Sequence, residues 1–436
     1  MKFYDRKQEL SLLRQIESRS ALTAQMTTVT GRRRIGKTTL LKKAFEQTPM
    51  LYFFVAKKNE TLLCEEFTGE VNEKLKFPLG NFQKFADLFK ALMQLSENIN
   101  FTLVIDEFQE FTNINPSVFS EMQNSWDSLK EKSKINLILC GSVYSLMKRI
   151  FEQSKEPLFG RATNKIVLNP FTISTIKEIL NDLHPGYTKE DLLAFYMVTG
   201  GVAKYIEQLV IRGAFTREHI MDAIFLQDSY FLDEGRDVLI DEFGKDYGNY
   251  FSILSLLASS KTDRGALESI LNISVGGYLD RLEKDFSIIK RIRPFMAKEG
   301  SRNNVYRIED NFLNFWFRFI YKYRSAVEIS NLDYVKNIVQ RDYETYSGII
   351  LEKYFRIKLI ESLQYSDIQR YWNNKGENEI DIVAINEYEK TAIIAEVKRQ
   401  KDKISLKILR EKAKNLVNKE LAGYKIEYRA LSIEDM

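Results

Sequence analysis

The stretch GRRRIGKT, from Gly31 to Thr38, decides the fold of the first part of this 436-residue chain. It fits the pattern G-x-x-x-x-G-K-[ST], in which a glycine-bounded loop holds phosphate groups through its backbone N–H groups. Residues 26–30 before it are apolar and β-branched, as in a buried strand, and residues 39–45 after it carry apolar side chains at helical spacing. A strand, this loop and the start of a helix together predict a nucleotide site.

The lysine and the threonine of this loop have separate predicted roles. Lys37 would reach the β- and γ-phosphate oxygens, and the hydroxyl of Thr38 would be a ligand of Mg²⁺. The predicted nucleotide-binding residues of the loop are Gly31, Arg32, Arg33, Arg34, Ile35, Gly36, Lys37, Thr38 and Thr39.

Two acids and a serine follow the apolar segments expected to be the neighbouring strands. Asp106 and Glu107 come after residues 101–105. Asp106 would hold Mg²⁺ through water, and Glu107 would orient and deprotonate the attacking water; the alternative is an acidic cap on the next helix. Ser142 ends the apolar segment 135–141 and is a candidate sensor of the γ-phosphate, because parallel strands end at one ligand-binding edge.

Arg161, in the sequence LFGR, is a further candidate for catalysis. An arginine there could stabilise the charge of the transition state, either in its own subunit or in a neighbouring one. A surface salt bridge is the alternative.

The amino-acid composition excludes several classes of catalytic site. The only histidines are His184 and His219, which excludes histidine-ligated zinc and most Ser-His or Cys-His nucleophile pairs. Two cysteines cannot form a disulfide framework, which favours the cytoplasm as the location. The sequence has no run of 18 apolar residues, so no membrane span is predicted. The net charge is +4, but residues 281–307 hold eight basic and three acidic residues, and residues 398–414 hold eight and two. Basic segments of this kind are solvated faces or sites for nucleic acid.

Several of these motifs together resemble the prokaryotic AAA+/STAND-type ATPases common in archaea and some bacteria. The resemblance covers residues 1 to about 230 and includes DR-x-x-EL at 5–10, the phosphate loop, the acids at 106–107, CGS at 140–142, LFGR at 158–161, NPF at 169–171 and TGGV at 199–202. Family members usually have proline two residues after the second glycine of the last motif, where this chain has Ala203. The resemblance implies that ATP is the nucleotide and that a small helical lid follows the core.

The middle of the chain predicts a winged helix. Helices are expected at 251–257, 264–271 and 274–285, and wing strands at 288–294 and 304–308, joined by the polar residues 298–302. Such a unit binds the DNA major groove or serves as a protein-docking spacer. The aromatic residues 310–319 are expected to be a core helix at a domain junction.

A second set of charged residues occupies the last hundred residues. Glu352 lies in a helix, and two strands joined by a turn at 387–390 would bring Asp381 near Glu396, within reach of one Mg²⁺. Lys398 would position water or offset phosphate charge. This arrangement resembles the PD-(D/E)XK nuclease fold, and residues 340 to about 425 resemble the nuclease-like domain often appended to these ATPases. The alternatives are an ordinary polar hairpin or a nuclease relic that only binds.

These predictions divide the chain into five parts. They are an α/β P-loop ATPase core (1–170), a helical lid (171–232), a winged-helix domain (233–310), a helical linker (311–339) and a small α/β nuclease-like domain (340–436). Two functions fit them: an ATP-hydrolysing, Mg²⁺-dependent enzyme acting on DNA, or an ATP-driven signalling or assembly switch with a catalytically dead binding module. Expected partners are ATP, DNA, a protein partner or further copies of the chain, and no membrane.

Overall fold

The computed structural model describes residues 2–243, 247–297, 304–373 and 378–436. The chain divides into two compact units. The N-terminal unit is Tyr4–Asn169, and the C-terminal unit is Pro170–Met436 together with the residues that precede Tyr4.

The N-terminal unit is a parallel sheet with helices. Its five strands are β1 (Gln25–Thr30), β2 (Met50–Phe54), β3 (Thr102–Asp106), β4 (Asn136–Gly141) and β5 (Asn164–Val167). They are ordered β2-β3-β4-β1-β5, and every neighbouring pair is parallel. The helices are α1 (Lys7–Ser20), α2 (Lys37–Ala44), α3 (Glu60–Leu75), α4 (Phe85–Leu95), α5 (Phe111–Ile114), α6 (Ser117–Leu129) and α7 (Tyr144–Glu152). The predicted α/β fold with a parallel P-loop sheet is confirmed.

Two inner strands of the sheet, β3 and β4, are buried along their whole length. Near-continuous apolar strands are what a parallel sheet covered on both faces requires. Because all five strands run the same way, their carboxyl ends lie at one edge. The loop after β1, the acids at the end of β3 and the residues after β4 therefore meet there.

The C-terminal unit begins with helices. They are α8 (Ile173–Leu183), α9 (Lys189–Thr199), α10 (Ala203–Ile211), α11 (Arg217–Ile224) and α12 (Tyr230–Phe243). The residues predicted to form a lid are thus helical. The polar residue before each of α8, α9 and α11 caps it, since Thr172, Thr188 and Thr216 all accept a backbone N–H hydrogen bond.

Three helices and a two-stranded ribbon follow. They are α13 (Tyr247–Ala258), α14 (Arg264–Leu271), α15 (Gly276–Lys284), β6 (Ile289–Ile292) and β7 (Val305–Ile308). The ribbon is antiparallel and pairs Ile289 with Ile308. These elements lie where the helices and strands of a winged helix are predicted, and the polar segment 298–302 lies outside the described residues.

The aromatic segment is core, as its spacing predicts. It forms α16 (Asn311–Phe315) and a π-helical turn, Trp316–Tyr321. The buried rings are Phe312, Phe315, Trp316, Phe317 and Phe319. The indole N–H of Trp316 donates to the carbonyl of Leu232 at 2.9 Å, which satisfies the one polar atom of that ring.

The last elements form a small α/β layer. They are α17 (Arg324–Glu328), α18 (Leu332–Glu361), β8 (Asp367–Tyr371), β9 (Ile380–Asn386), β10 (Thr391–Val397), α19 (Leu406–Lys419) and β11 (Lys425–Leu431). The sheet order is β11-β10-β9-β8, with β10 and β11 parallel and the other pairs antiparallel. The helix α18 runs unbroken across residue 340, where the sequence analysis separates the linker from the last domain.

Among the residues that the structure describes, no helix combines the length and the apolar character needed to cross a membrane.

Candidate functional site

The phosphate loop turns sharply between β1 and α2, and its two glycines permit the turn. Gly36, with φ of 96°, is the residue that precedes α2, and this left-handed conformation favours glycine. Gly31 has φ of 151°, and a Cβ there would lie 2.8 Å from the carbonyl oxygen of Leu168. A larger residue at either position would therefore displace the loop.

Lys37 is buried and folds back onto the loop. Its Nζ donates to the carbonyl oxygens of Gly31 at 2.7 Å and of Arg32 at 3.3 Å. Burial lowers the pKa of Lys37, and the nearby charges of Glu107 and Asp106 oppose this effect. A buried ammonium group in a concave loop is suited to bind phosphate oxygens. These oxygens would supply the negative charge that the two neutral carbonyls lack.

The Mg²⁺ ligands that the sequence predicts lie side by side. The Thr38 hydroxyl donates to Oδ2 of Asp106 at 3.4 Å, although these residues are far apart in sequence. The phenol of Tyr52 also donates to this carboxylate oxygen and lies 3.3 Å from the Thr38 hydroxyl. A hydroxyl and a carboxylate are hard oxygen ligands, so the residues present fit Mg²⁺.

Glu107 is held by two side chains. Its Oε2 accepts from the amide of Gln109 at 2.5 Å and from the hydroxyl of Ser142 at 2.7 Å. Its backbone has φ of 54°, and its N–H donates to Oδ1 of Asp106 at 3.0 Å. The guanidinium of Arg33 reaches Ser142 at 3.4 Å. The carboxylate is thus oriented at the edge where the phosphate loop lies.

Arg161 is not part of this group. Its guanidinium forms a two-pronged ion pair with Asp127 of α6, at 2.9 Å for the shortest contact, and it donates to the carbonyl of Phe159 at 3.0 Å. These contacts match the salt bridge that the sequence leaves as the alternative.

The acidic residues of the C-terminal unit come together as the hairpin predicts. The β9–β10 register pairs Ile382 with Ala395, which places Asp381 opposite Glu396. The Val397 N–H donates to Oδ2 of Asp381 at 2.8 Å. Burial, followed by the charge of Glu352, raises the pKa of Asp381 to about 7.

A guanidinium, which the sequence analysis missed, lies among these acids. Nη2 of Arg370 is 2.7 Å from Glu379, 3.1 Å from Glu352 and 3.7 Å from Asp381. The β8–β9 register shifts at this residue, and its carbonyl accepts from the Phe295 N–H at 2.7 Å. Such an irregularity can redirect a side chain, here towards the acids.

The predicted metal site at Glu352, Asp381 and Glu396 is not formed as these side chains stand. Throughout the described parts of the chain, no group of three or more His, Cys, Asp or Glu side chains is arranged to hold a metal ion. The physical reason is that Arg370 supplies the positive charge between Glu352 and Asp381, and that Glu396 is 3.3 Å from Lys412 and 3.4 Å from Lys398. Burial lowers the pKa of Lys398, but Asp381 and Glu396 outweigh it and raise the pKa overall.

Comparison with known proteins agrees with the N-terminal site. Residues 3–209 match a family described as an ATPase domain predominantly from Archaea, and residues 316–415 match archaeal and bacterial proteins of unknown function. The fold and the site are those of a P-loop nucleotide-binding domain, and residues 3–209 are similar to ATPase domains found predominantly in Archaea.

Individual relatives span most of the chain. An uncharacterised protein of Methanocaldococcus jannaschii is 27% identical over 420 residues, which are 94% of this chain and 90% of that protein. The structure of a Walker-type ATPase of Pyrococcus abyssi superposes with a TM-score of 0.55 at 17% identity, over 72% of this chain and 96% of that one. The ORC2 protein of Aeropyrum pernix, solved as ADPNP–ADP complexes, gives a TM-score of 0.48 at 14% identity, over 78% and 96%.

Proposed function

We propose that the chain binds ATP and hydrolyses it in a Mg²⁺-dependent reaction. The observation that carries this proposal is the assembly of Lys37, Thr38, Asp106 and Glu107 at one edge of the parallel sheet. Adenine as the base follows from the family, because a phosphate loop does not contact the base.

The side chains divide the work of hydrolysis. Lys37 and the loop N–H groups would hold the β- and γ-phosphate oxygens, and Thr38 and Asp106 would hold Mg²⁺. The chemistry that Mg²⁺ would supply there is positive charge beside the phosphates. Glu107 orients the attacking water and accepts its proton, and the two donors on its Oε2 fix the direction of the carboxylate.

The test uses the purified full chain and Lys37→Ala. We expect Mg²⁺-dependent release of phosphate from ATP by the wild type, and no ATP binding by Lys37→Ala, measured by calorimetry. Lys43→Ala is the matched control, because Lys43 lies on the same helix but is exposed and paired with Glu46. A wild-type chain that neither binds nor hydrolyses any nucleotide, with or without DNA, contradicts the proposal.

We infer that the C-terminal unit acts on DNA. The observation in favour is that α19 carries basic side chains, among them the exposed Lys407 and Lys414, in the segment that is basic by sequence. Exposed lysines and arginines neutralise phosphates of a nucleic-acid backbone. The position of Arg370 between Glu352 and Asp381 favours a binding module over a metal-dependent nuclease. A binding module without catalysis is the one expected of the signalling or assembly switch.

Salt and charge reversal test DNA binding. Affinity for a duplex oligonucleotide should fall by orders of magnitude between 50 and 200 mM salt if several phosphates are neutralised. The double variant Lys407→Glu/Lys414→Glu should weaken binding, whereas Lys90→Glu/Lys132→Glu, two exposed lysines of the N-terminal unit, should not. Absence of affinity at 50 mM salt refutes DNA binding, and cleavage with Mn²⁺ by the wild type would favour the nuclease instead.

A further inference from the structure

A small cavity of about 40 Å³ lies beside the acidic residues, entirely within the C-terminal unit. Four basic side chains line it: Arg307 of β7, Lys353 and Arg356 of α18, and Arg370 of β8. Glu309, Glu352 and Asp381 line it as well. The ribbon, the long helix and the last sheet therefore all contribute charged groups to one cavity.

The guanidiniums of this cavity have donors left over. Arg370 is 6% exposed, and its Nε is buried without a hydrogen-bond partner among the described residues. Arg307 is 3.9 Å from Glu352 and Arg356 is 4.0 Å from Glu309, which are ion-pair distances too long for a hydrogen bond. A buried N–H group without an acceptor is costly, so an oxyanion that accepts from these groups would be stabilised.

The cavity has a positive end. Burial alone would raise the pKa of Glu309. The pKa nevertheless lies below its ordinary value, because four cations surround the carboxylate: Lys353, Arg356, Lys290 and Arg307. The other acids, Glu352 and Asp381, are the ones that contact Arg370. An anion would thus be attracted to the end formed by Arg307, Lys353 and Arg356.

We propose that this cavity binds a phosphate monoester, specifically the 5′-phosphate at the end of a nucleic-acid strand. This proposal rests on the inferred action on DNA and names the group that the C-terminal unit recognises. A terminal phosphate carries a charge between −1 and −2 at neutral pH and has three free oxygens, whereas an internal phosphodiester carries one charge. Two or three guanidiniums around one cavity match the three oxygens, because each can donate two parallel N–H bonds.

The cavity lies beside the acids, so a strand end bound in it would have a defined position relative to them. A strand end held by Arg307 and Arg356 places the first nucleotide next to Glu352 and Asp381, on the side where Arg370 lies. The cavity would therefore fix the register of a strand end relative to the acidic residues. An unphosphorylated end lacks the group that the guanidiniums hold.

The experiment measures the preference for a phosphorylated end. The full chain carries Lys37→Ala, so that phosphate binding at the phosphate loop does not contribute to the measured signal. Two 3′-labelled single-stranded 12-mers, one with a 5′-phosphate and one with a 5′-hydroxyl, are titrated by fluorescence anisotropy, and inorganic phosphate is used as a competitor and in thermal-shift measurements. Arg307→Gln and Arg356→Gln are compared with Arg341→Gln, an exposed arginine of the same helix as Arg356.

We expect about tenfold tighter binding of the phosphorylated strand, from two or more charge-assisted hydrogen bonds. The preference should fall below about twofold in Arg307→Gln and Arg356→Gln and persist in Arg341→Gln. If the chain with all its arginines binds the two strands equally well, the proposal is overturned. This result does not depend on whether the arginine variants fold, and it leaves the inference of DNA binding intact. Stabilisation by inorganic phosphate that Arg356→Gln abolishes, with no binding of either strand, identifies free phosphate as the ligand and refutes the action on DNA.

Discussion

Tyr52 and Gln109 each hold one of the two acids that follow β3. Tyr52 donates to Asp106, and Gln109 donates to Glu107. Neither was predicted, because Tyr52 sits in an apolar strand and Gln109 follows the acids in a short helical turn. The parallel pairing of β2 with β3 brings Tyr52 to the acid, and such pairing is not visible in a local pattern.

Tyr52→Phe should weaken the use of Mg²⁺. The phenol donates to the carboxylate that is expected to hold the cation, and loss of such an orienting hydrogen bond typically costs 10–100-fold in metal affinity or activity. The Mg²⁺ concentration for half-maximal ATP hydrolysis should rise by about tenfold. Tyr388→Phe, an exposed loop tyrosine, is the control. An unchanged Mg²⁺ dependence would show that the hydroxyl has no part in positioning Asp106.

Ser142→Ala should slow turnover more than it weakens ATP binding. It removes one of two donors to the Glu107 carboxylate, and one hydrogen bond of about 1 kcal/mol corresponds to roughly fivefold to tenfold in kcat. The kcat and the Kd for ATP should be measured separately. A loss confined to the Kd would instead indicate a direct contact with the nucleotide.

Individual elements differ in how much local sequence predicts them. Strands β1 to β5 and the hairpin β9–β10 follow from apolar runs that end in polar residues, and the structure confirms them. Strand β8 was not predicted, because its residues 367–371 are mostly polar and only pairing with β9 makes them a strand. The register shift in β8 brings Arg370 to the predicted metal ligands, and this arginine lies in an element that local patterns do not reveal.

Asp191 joins the beginnings of α9 and α11. Its carboxylate accepts from the N–H groups of Thr188 at 3.0 Å and Arg217 at 2.7 Å. Burial would raise its pKa, but these bonds and that of the Thr188 hydroxyl outweigh it, so the pKa lies below its ordinary value. The carboxylate therefore stabilises the fold above the unfolded pKa, and this contribution is lost as the pH falls through the folded pKa.

Asp191→Ala should destabilise the chain by about 1–2 kcal/mol at pH 7, the usual cost of losing a capping side chain. The difference in thermal midpoint between variant and wild type should shrink as the pH is lowered towards 4 and below. Glu218→Ala, at the exposed start of α11, should show neither effect. A difference that does not change with pH would mean that the charge of Asp191 is not what stabilises these helices.

At the scale of the whole molecule, contacts link the small α/β region at the end of the chain to the residues before it. Arg399 pairs with Glu190 at 2.9 Å, Glu361 accepts from the Ile173 N–H at 3.0 Å, and Arg307 pairs with Glu352. The sequence predicted boundaries from changes in pattern, but contacts between distant segments decide which residues fold together.

A fragment of residues 340–436 should therefore fail to fold cooperatively, whereas residues 170–436 should fold. The shorter fragment cuts α18 and removes Arg307, one of the partners of Glu352, and Glu190, the partner of Arg399. Urea unfolding followed by circular dichroism distinguishes the two cases. A sigmoidal transition of the short fragment would show that the last sheet is an independent domain.

We infer that the acids after β3 serve a nucleotide held by the phosphate loop. Glu107→Gln tests it most directly, because the amide keeps the shape of the side chain but cannot accept the proton of water. We predict that the variant binds Mg²⁺-ATP with the wild-type Kd while its single-turnover rate falls by about 100-fold or more. Hydrolysis at the wild-type rate by Glu107→Gln would contradict the account.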